Sequence, residues 1–418
     1  MYKKKFVKKK TRIRFVIFTL ALLVMSEIIF LLLGGSFLSR SKEIAKAKNL
    51  SRLEIQDYAR KILEKCAEQN HHAVCYDEEI PKLMDTISME DAFEVAKVVQ
   101  KDDPQYLYCH VLAHKLSARE LQKDFTKWTE IIPRCPLGVC ANGCQHGVMQ
   151  ELVRNEILSD TQIETLKPDL QSVCEESDSW KPTRFEQAHC YHGLGHMFLY
   201  ITNADTSKAS ILCDEIGKKK DGRNFSSLCH QGLFMQLFQP IEPEDFTLVA
   251  GKQPKKEELM AFCRKFGSGQ KAEDCWIEGW PLYRDEIATP LGTTDFCFVF
   301  NDARSQDRCF QQLFYGYAQL NNFNSEKIQR FCDGVPAQRK GECLSDGASS
   351  MIQAESNMIE KAGNLCKSVE DKNVGNACYE GLVDTAFYTY NIGSKEIGRI
   401  CKLLPSPLKE KCVKKSDS

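Results

Sequence analysis

Residues 189–196 read His-Cys-Tyr-His-Gly-Leu-Gly-His and carry the two patterns from which an architecture and a candidate site follow. Cys190 is one of 20 cysteines in a chain of 418 residues. His192 and His196 stand four residues apart, so on a helix their imidazoles share one face and can reach the same ion. The recurrence of the cysteine predicts the fold, and the histidines indicate a function.

The cysteines form two interleaved series. The first recurs at steps of 34 to 46 residues, most of them 34 or 35, and each member of the second lies 9 to 16 residues before a member of the first. A period near 34 is typical of helix–turn–helix repeats. The first series is Cys75, Cys109, Cys144, Cys190, Cys229, Cys275, Cys309, Cys343, Cys378 and Cys412. The second is Cys66, Cys135, Cys174, Cys213, Cys263, Cys297, Cys332, Cys366 and Cys401.

Two kinds of helix are predicted to alternate along this repeat. Segments that contain or follow a first-series cysteine, such as 185–202 and 378–390, are rich in large apolar residues at helical spacing, and we name them A helices. Segments that a second-series cysteine closes, such as 205–213, are more polar and begin with a candidate N-cap; we name them B helices. The predicted fold is therefore all-α, an α/α superhelical solenoid of helical hairpins.

Disulfides are predicted to staple each hairpin to the next, because the cysteine that ends a B helix faces the one that starts the following A helix. An even, regular set without any CxxC pair indicates an oxidising compartment rather than zinc ribbons. Each bridge closes a loop of about 10–17 residues and contributes about 3 kcal/mol in the loop-entropy account. The predicted pairs are Cys66–Cys75, Cys174–Cys190, Cys213–Cys229, Cys263–Cys275, Cys297–Cys309, Cys332–Cys343, Cys366–Cys378 and Cys401–Cys412.

Four cysteines remain, and spacing does not decide how Cys109, Cys135, Cys140 and Cys144 connect. We expect Cys135–Cys144 together with Cys109–Cys140. The alternative is a zinc site built from the last three of these cysteines and His146, which an oxidising compartment disfavours.

Several of the cysteines that open an A helix are followed three residues later by glycine, as in Cys190-Tyr-His-Gly193, Cys229-His-Gln-Gly232 and Cys378-Tyr-Glu-Gly381. This arrangement resembles the secreted cysteine-rich Sel-like repeat proteins, which are disulfide-stapled relatives of the tetratricopeptide (TPR-like) solenoids. The resemblance spans residues 66–412 and concerns architecture alone. It implies a superhelix whose concave face is lined by A helices, and it implies no activity.

The N-terminus is interpreted as a membrane signal-anchor. Residues 1–14 hold eight Lys or Arg and no acid, and the 23 residues of 15–37 contain one charge, Glu27. Such a run is long enough to span a bilayer, whereas a cleaved signal has a shorter apolar core of roughly 7–15 residues. Cleavage near residues 34–39 is the alternative. The predicted organisation is a cytoplasmic basic tail at 1–14, a transmembrane helix at 15–37, a helical stalk at 38–65 and an extracellular or periplasmic cysteine-rich domain at 66–418.

The formal net charge of −1 hides an uneven distribution, since the basic excess is confined to the first 14 residues. No basic field runs along the rest of the sequence, so nucleic acid is not expected as a partner. The expected partners are the membrane, through residues 15–37, and a protein on the concave face.

All nine histidines lie between residues 71 and 230, and six of them closely follow a first-series cysteine. On stacked A helices these imidazoles would converge on one patch of the concave face and form a metal site. Imidazole is a common ligand of zinc, which we favour, and of iron and copper. Glu151, one turn beyond His146, is a candidate oxygen ligand or general base. The six candidate ligands are His110, His114, His146, His192, His196 and His230.

Three functions fit these residues. The first is an extracytoplasmic metal-binding protein, and the second is a metal-dependent hydrolase or oxidoreductase with Glu151 as its base. In the third, a protein-interaction scaffold, the histidines only cap or pack helices. His71 and His72 are expected to be solvated, and His189 is expected to be structural. The sequence holds no HExxH, GxSxG, P-loop or GxGxxG motif that would select an enzyme class.

Overall fold

The structure, a computed structural model, describes residues 50–103, 105–106, 109–154 and 156–417. The predicted cytoplasmic tail, the predicted transmembrane helix at 15–37 and the start of the predicted stalk lie outside these residues. Within the described part of the chain, no helix is both long and apolar enough to cross a membrane. The remainder of the predicted stalk, from Arg52, forms a helix with a buried apolar side, so it belongs to the folded domain instead of leading up to it.

Every regular element of the described residues is a helix, which confirms the all-α prediction. The α-helices are α1 (Arg52–Cys66), α2 (His72–Glu79), α3 (Met89–Asp102), α4 (His110–Leu121), α5 (Trp128–Ile131), α6 (Gly143–Val153), α7 (Asp160–Ser172), α8 (Arg184–Ile201), α9 (Thr206–Gly217), α10 (Ser226–Phe238), α11 (Pro243–Val249), α12 (Leu259–Arg264), α13 (Gln270–Glu278), α14 (Arg284–Ile287), α15 (Pro290–Cys297), α16 (Ala303–Leu320), α17 (Ser325–Asp333), α18 (Lys340–Ala354), α19 (Ile359–Lys367), α20 (Lys372–Thr389), α21 (Lys395–Leu403) and α22 (Leu408–Ser416). Short 3-10 helices are Pro81–Asp85, Phe125–Lys127, Ile132–Arg134, Cys140–Asn142, Lys256–Glu258, Trp280–Tyr283, Ala337–Arg339 and Ser356–Met358.

Local caps fix where these helices begin. The carboxylate of Asp205 accepts two N–H groups of the first turn of α9, and Ser394 caps the B helix α21. Thr183 and Glu186 form a capping box at the start of α8, each side chain accepting the backbone N–H of the other. Because α8 carries the 189–196 stretch, this cap sets the register of its histidines.

All ten expected disulfides are present, including Cys109–Cys140 and Cys135–Cys144. Every one of the 20 cysteines is paired, with Cα–Cα distances of 4.6 to 5.7 Å. The alternative zinc site of cysteines and His146 is therefore ruled out, because its thiols are oxidised. A chain with this many disulfides belongs in an oxidising environment.

The A helices stand side by side in chain order, each packed on the next, from α4 and α6 through α8, α10, α13, α16 and α18 to α20. The B helices pack against this row; α9 lies on α8 and α10, and α19 lies on α18 and α20. Most disulfides join the end of a B helix to the start of the following A helix. They hold neighbouring hairpins at a fixed spacing.

The row of A helices closes on itself, because α20 packs against α8. The ring of Tyr388 on α20 lies 5.9 Å from the ring of Phe185 and 5.5 Å from the guanidinium carbon of Arg184. The A helices surround a cavity of about 1120 Å³, to which the segments 240–253 and 280–284 also contribute. Thus the A helices face a shared space that is partly open to solvent.

Residues 140–142, just before α6, have a strained backbone and are hydrogen-bonded to the end of α18. Cys140, Ala141 and Asn142 have positive φ angles of 47° to 56°, a conformation that costs side-chain-bearing residues about 1–3 kcal/mol each. The Asn142 side chain donates to the carbonyl of Gln353 at 2.9 Å, and Oε1 of Glu355 accepts the Cys140 N–H at 2.7 Å. These bonds offset the strain and tie residues that are more than 200 positions apart.

Glu355→Gln should change how stability depends on pH. Glu355 is 2% exposed, and burial raises the pKa of its carboxyl to about 8. A raised folded pKa gives stability that is present at low pH and is lost as pH rises from about 4.5 to 8, by up to about 1.4 kcal/mol per unit. Glutamine does not titrate. Between pH 5.5 and 7.5 the unfolding free energy of the variant, measured in guanidinium chloride, should therefore gain roughly 2 kcal/mol relative to the wild type.

Glu360→Gln is the matched control. The exposed carboxylate of Glu360 pairs with Arg399, which lowers its pKa, so both variant and wild type behave alike across this pH range. An equal response of the two glutamine variants would contradict the buried, protonated Glu355.

Candidate metal centre

Six histidines from three consecutive A helices meet in the interior. Five of them are among the predicted ligands, and the sixth, His189, was expected to be structural. Helix α4 contributes two, α6 one and α8 three. The cluster consists of His110, His114, His146, His189, His192 and His196.

Glycines allow neighbouring A helices to approach closely. A methyl group at Gly147 of α6 would lie 2.4 Å from the Cα of His114 on α4. A methyl group at Gly232 of α10 would lie 1.9 Å from the carbonyl oxygen of His192 on α8. Both glycines follow a first-series cysteine by three residues, so the Cys-x-x-Gly motif marks the positions where the backbones nearly touch.

His146 lies at the centre of the cluster. Its ring centroid is 4.9 Å from that of His196, 5.3 Å from that of His192 and 5.6 Å from that of His110. The side chain is 3% exposed, and neither of its ring nitrogens has a hydrogen-bond partner among the described residues. Burying an imidazole without partners is unfavourable, so these nitrogens point to a ligand that the protein is built to receive.

Five of the six imidazoles are neutral over most of the physiological pH range. Burial first, and then the neighbouring imidazoles, hold the pKa values of His110, His146 and His192 well below their usual range. The pKa of His196 is lowered to about 4 by burial, and so is that of His189. Neutral imidazoles carry the lone pairs that a metal ion requires.

His110 and His114 face each other through their Nε2 atoms, which are 3.0 Å apart. The Nδ1 atom of His110 lies 3.3 Å from the carbonyl of Ala141, and that of His114 lies 3.2 Å from Oε1 of Glu242. Both oxygens are acceptors. When each Nδ1 donates its proton to them, each Nε2 has a lone pair that a cation between the two rings can bind.

His196 is oriented in the same manner. Its Nδ1 donates to Oε1 of Gln236 at 2.6 Å, and the same oxygen accepts a bond from Gln150 at 3.1 Å. The Nε2 atom is buried and has no partner in the described part of the chain. Acceptors behind a ligating histidine fix its tautomer and raise its basicity, and Gln236 stands in that position.

The ring nitrogens form two groups of three that share His146. In one group His146 joins His110 and His114, and in the other it joins His192 and His196; within each group the ligand atoms all lie within 4.8 Å of one another. Three histidines are a frequent protein ligand set for zinc, which adds one further ligand. The chemistry available to such a site is that of a bound transition metal.

The carboxylate beside the cluster is Glu242, which the sequence did not reveal as a site residue. Burial raises its pKa, but His114 and Arg154 outweigh that effect and lower it, so Glu242 is ionised. The candidate base Glu151 is bonded elsewhere, to the side chain of Gln122 at 2.7 Å and to Arg154 at 2.8 Å. Glu151 belongs to neither histidine group.

The structure separates His230 from the other candidate ligands. Its Nε2 lies 3.2 Å from the carbonyl of Ser210 and 3.8 Å from Asp214, and it joins neither group of three. Burial is the main cause that lowers its pKa to about 4. His71 is exposed, as expected, while His72 is bonded to Asp103 at 3.1 Å.

The histidine cluster forms part of the wall of the internal cavity. His110, His146, His189 and His192 all line that space of about 1120 Å³. A metal ion held by His146, His192 and His196 would therefore have open volume on one side. Such a setting allows a small molecule to reach the ion.

No known protein family, characterised protein or solved structure matches this chain significantly.

Gly147→Ala should separate α4 from α6. The added methyl would meet the backbone of α4, so we expect about 3 kcal/mol less unfolding free energy in EDTA, together with weaker zinc binding. Gly316→Ala is the control, because nothing lies within 4 Å of the added methyl and alanine favours the helix by up to about 1 kcal/mol. Guanidinium denaturation in EDTA measures the unfolding free energy of both variants. A tolerated Gly147→Ala would contradict the close contact.

Proposed function

We propose that this protein binds a divalent transition metal through its histidine cluster, with zinc favoured and iron or copper as alternatives. The observation that carries the proposal is the position of the Nε2 atoms of His110 and His114, which face each other at 3.0 Å within a group of three imidazoles. Zinc–nitrogen bonds of 2.0–2.1 Å in a tetrahedral site place two ligand nitrogens about 3.3 Å apart. The observed separation is close to this value.

The donor set selects the class of metal. All the candidate ligand atoms of the two histidine groups are imidazole nitrogens, whereas magnesium and calcium prefer oxygen. Thiolate ligation is excluded because every cysteine is in a disulfide. Zinc, copper and iron accept neutral nitrogen ligands, and zinc tolerates the three-histidine arrangement best.

The proposed location is outside the cytoplasm. The ten disulfides support an oxidising environment, and the apolar sequence of residues 15–37 supports a membrane anchor. We also propose that the chain is related to the Sel-like repeat proteins and that its A-helix face binds a protein partner.

Metal content tests this function directly. Full-length protein, purified with its disulfides intact and dialysed against zinc and then against buffer, should retain at least one zinc per chain by elemental analysis. His146→Ala removes a member of both groups of three and should abolish most of this zinc. His71→Ala, which removes an exposed histidine, should retain the wild-type amount. Less than stoichiometric zinc in the wild type, unchanged by His146→Ala, would support the scaffold function instead.

The cavity favours a second candidate function, that of a metal-dependent hydrolase. Three protein ligands leave a coordination position for water or substrate, and a bound zinc lowers the pKa of that water. His192 lines the cavity, so the open position of an ion in its group would face a space that a small substrate can fill.

Accessibility of the ion separates this candidate from simple metal storage. In the cobalt-substituted protein, adding azide should change the visible absorption spectrum, because the anion enters the open position. The change should disappear in His192→Ala and persist in His71→Ala. A spectrum insensitive to azide would mean a closed ion and would contradict the hydrolase candidate.

A further inference from the structure

We propose that His146 bridges two metal ions, one through each ring nitrogen, so that the site is dinuclear. This inference rests on the metal-binding function proposed above and specifies its composition. His146 is the single residue that belongs to both groups of three. Both of its nitrogens are buried and have no hydrogen-bond partner among the described residues.

The position of His146 between two helices supports the bridge. Helix α6, which carries it, packs on α4 on one side and on α8 on the other. The two other members of one group, His110 and His114, are on α4, and those of the second group, His192 and His196, are on α8. Each neighbouring helix therefore offers one pair of imidazoles to the ring that lies between them.

The orientation of the imidazole assigns its nitrogens. A methyl group at Gly193 of α8 would lie 3.0 Å from Cδ2 and 3.8 Å from Nε2 of His146, so this edge of the ring faces α8. In a five-membered ring Nδ1 is the vertex opposite that edge, and it points away from α8. Nε2 thus serves the pair on α8, and Nδ1 serves the pair on α4.

The two groups of three together offer five imidazoles, whereas one tetrahedral zinc ion takes four ligands. Two ions on the opposite nitrogens of one imidazole stand about 6 Å apart, given metal–nitrogen bonds of 2.0–2.1 Å.

Formation of the bridge releases one proton from His146. Neutral His146 binds the first ion through one nitrogen and keeps its proton on the other. Binding of the second ion displaces that proton to solvent, and the ring becomes a singly negative imidazolate with two metal–nitrogen bonds.

Copper is the probe that reports a bridge. Full-length protein loaded with Cu²⁺ should hold two copper ions per chain by elemental analysis. Imidazolate transmits magnetic coupling between two Cu²⁺ ions, so the frozen solution should show far less paramagnetic resonance intensity than two isolated ions give. Protein with one copper and one zinc should recover the spectrum of an isolated Cu²⁺ ion.

Variants identify each half of the centre. His110→Ala and His192→Ala should each hold one uncoupled copper, and His71→Ala should behave as the wild type. The wild-type measurement decides the question even if a variant fails to fold. One copper per chain, or two without coupling, would overturn the bridge while leaving the metal-binding function in place. No retained copper or zinc in the wild type would overturn both.

Discussion

The disulfide between the end of a B helix and the start of the next A helix is the constraint on which the rest of this structure depends. It sets neighbouring A helices at one spacing, and the glycine three residues after the A-helix cysteine lets their backbones touch. Gly147 against α4 and Gly232 against α8 are such contacts. Only helices this close bring imidazoles from α4, α6 and α8 within reach of a common ion.

The disulfides also explain how the domain tolerates buried imidazole nitrogens that have no hydrogen-bond partner among the described residues. Buried ring nitrogens of His146, His189 and His196 lack partners within the described residues, which would cost stability in a protein that used them only for packing. The disulfides contribute about 3 kcal/mol each in the loop-entropy account and offset that cost. Oxygen acceptors behind the cluster, in Glu242 and Gln236, orient the imidazoles without occupying the nitrogens that face inward.

The cysteine repeat predicted the helical class, eight of the ten disulfides and five of the six clustered histidines, because these follow from local spacing. Spacing did not decide the other two disulfides, Cys109–Cys140 and Cys135–Cys144, although both were expected. His189, which was expected from the sequence to be structural, lies on the same helix face as residues 192 and 196 but joins neither group of three. His230 was included because it follows its cysteine by one residue, but the equivalent of His146 and His192 is Gln231, which lines the cavity. The contact between Glu242 and His114 could not be predicted from cysteine spacing, because the two residues are 128 positions apart. Closure of the A-helix row could not be predicted either, because it depends on small rotations that add up over many repeats.

Ligation of a metal by histidine nitrogen is the central claim, and X-ray absorption at the zinc edge of zinc-loaded, disulfide-intact protein tests it most directly. The account predicts a shell of nitrogen or oxygen atoms at 2.0–2.1 Å with the outer scattering of imidazole rings. A shell with sulfur near 2.3 Å, or one of oxygen atoms without imidazole scattering, would contradict it.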